Sequence, residues 1–207
     1  MKLIEFNNIE DYDLKLVEIT NLSSKVKTSF KRRFKISEPV LGILYIDYNH
    51  GLTIELIGDN NTIIDKTTIV RGEVLEESEF NAIDDKKLYS KYKDRTERIK
   101  LEFYDNNKIL KLRKDSRLNK FRDRLCPDDV ECILYTEGKG MERVYVKVLL
   151  KARNASVYAG YLVEDAKLNK YYKKNTEVAF DYSERLNSLI ILGKTQKELE
   201  EDIEVII

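Results

Sequence analysis

Apolar residues recur at every second position along much of this chain. That period constrains the fold more than any other feature, because only a strand puts residues i, i+2 and i+4 on one face. Leu52, Ile54 and Leu56 alternate with Thr53 and Glu55, and Val144, Val146 and Val148 alternate with Tyr145 and Lys147. Val178, Phe180 and Tyr182 repeat the pattern. Ile99, Leu101 and Phe103 alternate with Lys100 and Glu102, and Asp105-Asn106-Asn107 then reads as a turn into a hairpin partner over 108–114. Strands with one apolar face belong to antiparallel sheets. With only 8 glycines and 2 prolines, turns are marked by Asn and Asp, as in Asn49-His50-Gly51, and by Gly138-Lys139-Gly140.

Helical signals are fewer. Asp115 or Ser116 can cap a short helix over 116–125 with Leu118, Phe121 and Leu125 on one side, ended by Cys126-Pro127. Thr195-x-x-Glu198 is a capping box opening a C-terminal helix over 195–204, with Leu199 and Ile203 one turn apart. Residues 25–34 fit helix and strand equally. The stretch 84–95 has little periodicity and reads as a loop or linker. The expected fold is mainly β (α+β), two small antiparallel β units or barrels with short edge helices. Residues 1–83 form the first unit, and 96–207 carry a hairpin, a short helix, a barrel and the C-terminal helix.

The residue inventory excludes several chemistries. His50 is the only histidine, and Cys126 and Cys132 are the only cysteines, so no His/Cys metal cage, serine–histidine relay or Cys-x-x-Cys pair can be assembled. Asp128-Asp129-Val130-Glu131 reads as a polar turn before a strand rather than a metal site. Asp/Glu-x-Lys triplets begin at Asp13, Asp84, Asp85, Glu137 and Asp165, a number that composition alone accounts for. No catalytic residue, metal or cofactor is expected. The apolar run at the N-terminus breaks too soon for a secretion signal, and free thiols suit a reducing compartment, so a cytoplasmic protein without membrane attachment is expected. The Lys-, Asn- and Ile-rich composition fits a bacterial or phage source.

Between Gly140 and Ile191 the chain resembles a family of small uncharacterised bacterial SH3-like β-barrel domains. The matching residues are Glu142-Arg143, Val146 and Val148, then Gly160 and Leu162, then Val178 and Phe180; Tyr145 stands where that family often has tryptophan, and Asn175 occupies its glycine turn. The resemblance implies a barrel and no activity. Pro39-x-x-Gly42-x-Leu44 followed by Gly51-Leu52-x-Ile54-x-Leu56-x-Gly58 is similar to the β-rich front domain of abortive-infection proteins, which implies phage–host conflict as a setting. The helical RNase domain of those proteins has no counterpart here.

Charge carries the remaining signal. The 37 basic and 37 acidic residues cancel, so attraction to a charged partner must be local. Lys25, Lys27, Lys31, Arg32, Arg33 and Lys35 surround Phe30 and Phe34, a pattern that suits nucleic acid or a solvated amphipathic element. From Lys108 to Arg124 there are eight cations against Asp115 and Asp123. If 116–125 is helical, Arg117, Lys120 and Arg124 lie on a common exposed side. The expected function is a non-enzymatic macromolecule-binding protein, an inhibitor or adaptor, that contacts a protein partner through Arg117, Lys120, Arg122, Arg124, Lys31, Arg32 and Arg33. A nucleic-acid-binding module using 25–35 and 108–124 is the alternative. An enzyme working with carboxylates, lysines and tyrosines is a third class. The sequence sets no oligomeric state.

Overall fold

The computed structural model describes residues 14–104, 106–152 and 156–192, and among these strand outweighs helix. The chain divides into two compact units, one of residues 1–114 with 124–127, the other of residues 115–123 with 128–207. The C-terminal helix expected over 195–204 lies outside the described residues.

The first unit is built on a five-stranded antiparallel sheet of β1 (Lys15–Thr20), β2 (Val40–Asp47), β3 (Gly51–Gly58), β4 (Ile69–Arg71) and β5 (Glu79–Ala82), in the order β4-β3-β2-β1-β5. Both faces of its centre are covered, so β3 is buried at every position rather than on one face. Leu52, Ile54 and Leu56 join a core with Val26 and Phe30 of helix α1 (Ser24–Phe34). Ile43, Tyr45 and Ile57 pack on the opposite side with Tyr92 and Ile99. The outermost strands, β4 and β5, are short, which limits the unpaired backbone offered to other chains.

Residues 25–34 are helical. Val26, Phe30 and Phe34 recur every four residues, Ser23 accepts from the Val26 N–H at the start, and Lys35 ends the helix in a left-handed conformation. The stretch 84–95, expected as a loop or linker, is mostly helical. Asp85 caps α2 (Lys86–Lys91) by accepting from Lys87 N and Leu88 N, and α3 (Lys93–Phe103) follows directly. The hairpin expected over 99–114 is absent for the same reason. Tyr92, Ile99 and Phe103 share one face at helical spacing, and all three belong to the cluster that meets the sheet. Leu101, the residue that completed the period of two, points to solvent. Asn106 is no hairpin turn; it caps α4 (Asn107–Arg113) by accepting from Lys108 N and Ile109 N.

The second unit is a closed barrel of β6 (Asp129–Thr136), β7 (Gly140–Lys151), β8 (Tyr158–Leu162), β9 (Glu177–Ser183) and β10 (Ser188–Leu192), ordered β10-β6-β7-β8-β9. Four neighbouring pairs are antiparallel and the closing pair, β10 with β6, is parallel. Val130, Cys132, Leu134, Val144, Val146, Val148, Leu162, Val178, Phe180, Leu189 and Ile191 are all buried, as inward-facing positions must be. At Gly160 a Cβ would stand 2.2 Å from the Lys147 carbonyl oxygen and 2.7 Å from Val146 Cγ1, so β8 approaches β7 at a distance only glycine allows.

The helix expected over 116–125 is replaced by turns and a single 3-10 turn, Asn119–Phe121. The Asp115 carboxylate accepts from the Arg117 N–H, and Arg122 is already extended and bridges to Val130. Leu118 is buried, Phe121 lies 6.1 Å from the Tyr182 ring, and Leu125 instead packs in the core of the first unit.

Phe180→Ala in the barrel interior should cost about 3–5 kcal/mol of stability in denaturant unfolding. Gly160→Ala should cost about 1–3 kcal/mol, because the crowding atom is backbone and cannot rotate away.

Candidate interaction surface

Each unit buries a charged pair in its sheet. In the first unit Glu55 sits at the middle of β3 with only 1% of its side chain exposed, facing Arg95 and Arg98 of α3. Arg98 bonds one carboxylate oxygen directly, and Arg95 Nη1 lies 3.5 Å from the other, an ion pair without hydrogen-bond geometry. Arg95 also donates to the Leu56 and Ile64 carbonyls. These contacts fasten α3 to the sheet and leave no open carboxylate for a substrate.

In the second unit Lys147 Nζ is 2.7 Å from Asp129 Oδ1, across the β6–β7 register, and both side chains are largely buried. Burial raises the Asp129 carboxyl against the pull of Lys147, with Asp128 and Asp123 adding to the rise. Asp128 and Asp129 are enclosed, and Asp129 already belongs to β6 rather than to a turn before it. A raised carboxyl suits a general acid, but this one is shut away from solvent. Cys132 is likewise buried in the barrel and its thiol is pushed far up by burial. Among the described residues no three His, Cys, Asp or Glu side chains converge to hold a metal. A cleft of about 430 Å³ opens at the β2–β3 turn beside His50 and Glu102. The Asp47 carboxylate in it is already committed to the turn, accepting from Asn49 N and His50 N.

The cations singled out in the sequence fall in different places. Lys31, Arg32 and Arg33 are exposed in the last turn of α1, where positive charge complements the helix dipole. Phe30 and Phe34 meet edge to face at 6.0 Å against the core, so neither ring is offered for base stacking. Within 108–114, Arg113 is buried, donating to the Ile46 carbonyl at 3.2 Å and lying 5.2 Å over the Tyr104 ring.

Arg117, Lys120 and Arg122 belong to the second unit and Arg124 to the first. Arg117 donates to the Asp115 carboxylate at 2.7 and 3.0 Å and lies over the Tyr158 ring. Lys151 and the Tyr158 hydroxyl approach the same carboxylate at 3.3 and 2.8 Å. Lys120 Nζ sits 4.7 Å from both the Phe121 and Tyr182 ring centres and donates to Asn187. Arg122 Nε donates to Asn119, and Arg124 is exposed. The structure thus gathers Arg117 and Lys120 onto the barrel as fasteners of the entering chain.

A surface that the charge pattern does not reveal lies on the outside of the barrel. Tyr135 pairs with Met141, Ile133 with Arg143, and Ile190 of β10 with Ile133. These side chains alternate with the buried Cys132, Leu134 and Val144, so they point outward. Tyr135, Met141 and Leu192 are 58%, 60% and 53% exposed. The sequence signal was present: in 132–135 both phases of the alternation are apolar, Cys132 and Leu134 in one, Ile133 and Tyr135 in the other.

Compared with known protein families, curated proteins and solved structures, this chain matches none.

Burial works to raise the Asp115 carboxyl, but bonds from Arg117 and Tyr158 outweigh it and hold the group below the usual carboxylate range. Tyr158 is pushed up to about 12, by burial first and then by Asp115. A carboxyl lowered on folding contributes stability above its unfolded pKa of about 4, and loses it as pH falls through the folded value. The Asp115→Asn variant should therefore show a shallower fall in stability below about pH 4 than the wild type. Glu55→Ala removes the Arg98 bond, while Arg95 keeps the Leu56 and Ile64 carbonyls and Arg98 keeps Glu102, so it should cost about 1–3 kcal/mol in urea unfolding.

Proposed function

We propose that this protein is a non-enzymatic binding protein, an inhibitor or adaptor, that docks a protein partner on the outer face of its barrel. The observation that carries this reading is the apolar patch of Ile133, Tyr135, Met141, Ile190 and Leu192 across three adjacent strands, with Arg143 at its rim. Tyrosine, methionine and arginine are the residue types that protein interfaces favour. Closure of the barrel narrows the mode of contact. A closed sheet has no free edge on which a partner strand could add, so recognition would run through side chains on a face. The enclosure of Glu55 and of the Asp129–Lys147 pair supports a binding role over a catalytic one. The resemblance of residues 39–58 to abortive-infection proteins suggests phage–host conflict as the setting.

Cross-linking in the native cell, followed by purified binding assays with the captured protein, tests the reading. Tyr135→Ala should weaken association more than fivefold, equivalent to about 1 kcal/mol or more at a hot spot, and Met141→Asp should abolish it. The thermal midpoint of both variants should stay near that of wild type. A partner held equally well by both variants but lost on reversing Lys31, Arg32 and Arg33 would move the contact to α1.

A further inference from the structure

The connection between β8 and β9, residues 163–176, is long for a small barrel, yet its backbone is tied down throughout. Glu142 accepts from Lys167 N at 2.7 Å with one carboxylate oxygen and from Leu168 N at 2.9 Å with the other. Asp165 accepts from Lys174 N at 2.8 Å, and the buried Asn169 accepts from Tyr171 N at 3.1 Å. Ala166 N, Tyr172 N, Asn175 N and Thr176 N each donate to backbone carbonyls, and Lys173 N donates to the Thr176 hydroxyl. Ala166, Asn169 and Tyr172 are buried beneath.

Beyond the exposed Glu164 and Asp165 at its start, this framework displays positive charge. From Ala166 to Thr176 the sequence holds Lys167, Lys170, Lys173 and Lys174 and no acid, and all four lysines are exposed. Lys173 reaches Asp165 at 3.1 Å, a pair open to solvent and therefore weak. Tyr171 is half-buried, with Lys170 Nζ 5.0 Å over its ring.

We propose that this loop binds the backbone of single-stranded nucleic acid, with Lys167, Lys170 and Lys174 at phosphates and Tyr171 stacking on an unpaired base. Three features favour that ligand. The cations are all lysine, a residue depleted from protein interfaces but effective as a point charge against phosphate. A half-buried tyrosine beside them suits bases that are free to unstack. Most of the loop's backbone donors already bond within the protein, so recognition falls to side chains and carries little sequence preference. The proposal goes beyond the docking of a protein on the barrel face and does not rest on it.

Fluorescence anisotropy of end-labelled oligo-dT and oligo-rU of about 12 nucleotides, a length within reach of a barrel-sized site, tests it across a salt series. Wild type should bind both, with log affinity falling linearly against log salt at a slope of about −2 to −3, near 0.7 per phosphate contacted. The triple variant Lys167→Gln, Lys170→Gln, Lys174→Gln should bind at least tenfold more weakly and lose about 2 from that slope. Tyr171→Leu should weaken binding several-fold with the slope unchanged. Tyr135→Ala, which removes the docking side chain without adding charge, should bind the oligonucleotides as wild type does, which separates failure of this proposal from failure of the protein-docking reading. Circular dichroism establishes that each variant is folded; should the triple variant not fold, Lys174→Gln and Tyr171→Leu carry the test. Absence of salt-dependent binding by wild type, unchanged binding by the lysine variants, or equal competition by polyglutamate would overturn the proposal, the last in favour of an acidic protein.

Discussion

Parity governs the barrel. Five strands laid up and down in sequence leave the first and last running the same way, so the cylinder can close only through a parallel pair. Here that pair is β10 on β6, and it sets which connections share an end. The β6–β7 turn, the β8–β9 connection and the finish of β10 fall at one end. The β7–β8 connection, the β9–β10 turn and the start of β6 fall at the other. Tyr135, Met141, Leu192 and the lysine loop therefore gather at one rim, and Glu142 ties the loop there. Asp115, Lys151 and Tyr158, together with Lys120, Tyr182 and Asn187, gather at the opposite rim. One end of the barrel receives the chain and the other carries the exposed apolar side chains and the lysine loop.

The first unit solves a different problem. Its central strands are apolar on both phases, which an antiparallel sheet with one wet face would not tolerate. Helix α1 covers one side and α3 the other, and Glu55 is the single acid within β3. Two arginines from α3 meet it, so the helix is positioned by charge as well as by Tyr92 and Ile99. A buried pair of this kind contributes little net stability compared with an apolar pair but penalises any other placement of the helix. Register is the better name for what it provides.

The legible parts of the sequence were those where alternation and burial agree. Val144, Val146, Val148, Val178 and Phe180 read as a barrel wall and are buried in one. Ile99, Leu101 and Phe103 misled because three apolar residues spaced by two also fit a helix when the middle one is exposed, and Tyr92 four-and-three residues upstream was the deciding clue. The basic run 108–124 looked continuous only on paper. Arg113 is drawn into the first unit, Arg117 and Lys120 are spent on the barrel's own carboxylate and tyrosines, and a unit boundary falls between Lys114 and Asp115. Linear charge density cannot show which cations already have partners. The outer apolar patch was hidden for the converse reason, since hydrophobic residues in a strand are read as core until the register shows which phase faces out.

The path of the chain between the units has one more consequence. It crosses after Lys114, returns after Asp123 and crosses again after Pro127, and Leu125 on the return segment accepts from Leu52 N at 2.6 Å. Neither unit is an uninterrupted stretch. A fragment starting at Asp128 would carry all five barrel strands yet lack Asp115, and Tyr158, Lys151 and Asn187 would lose the residues they hold. In genetic terms the protein does not come apart into interchangeable cassettes. Recombination or truncation at any single point in this region leaves at least one of the two units incomplete.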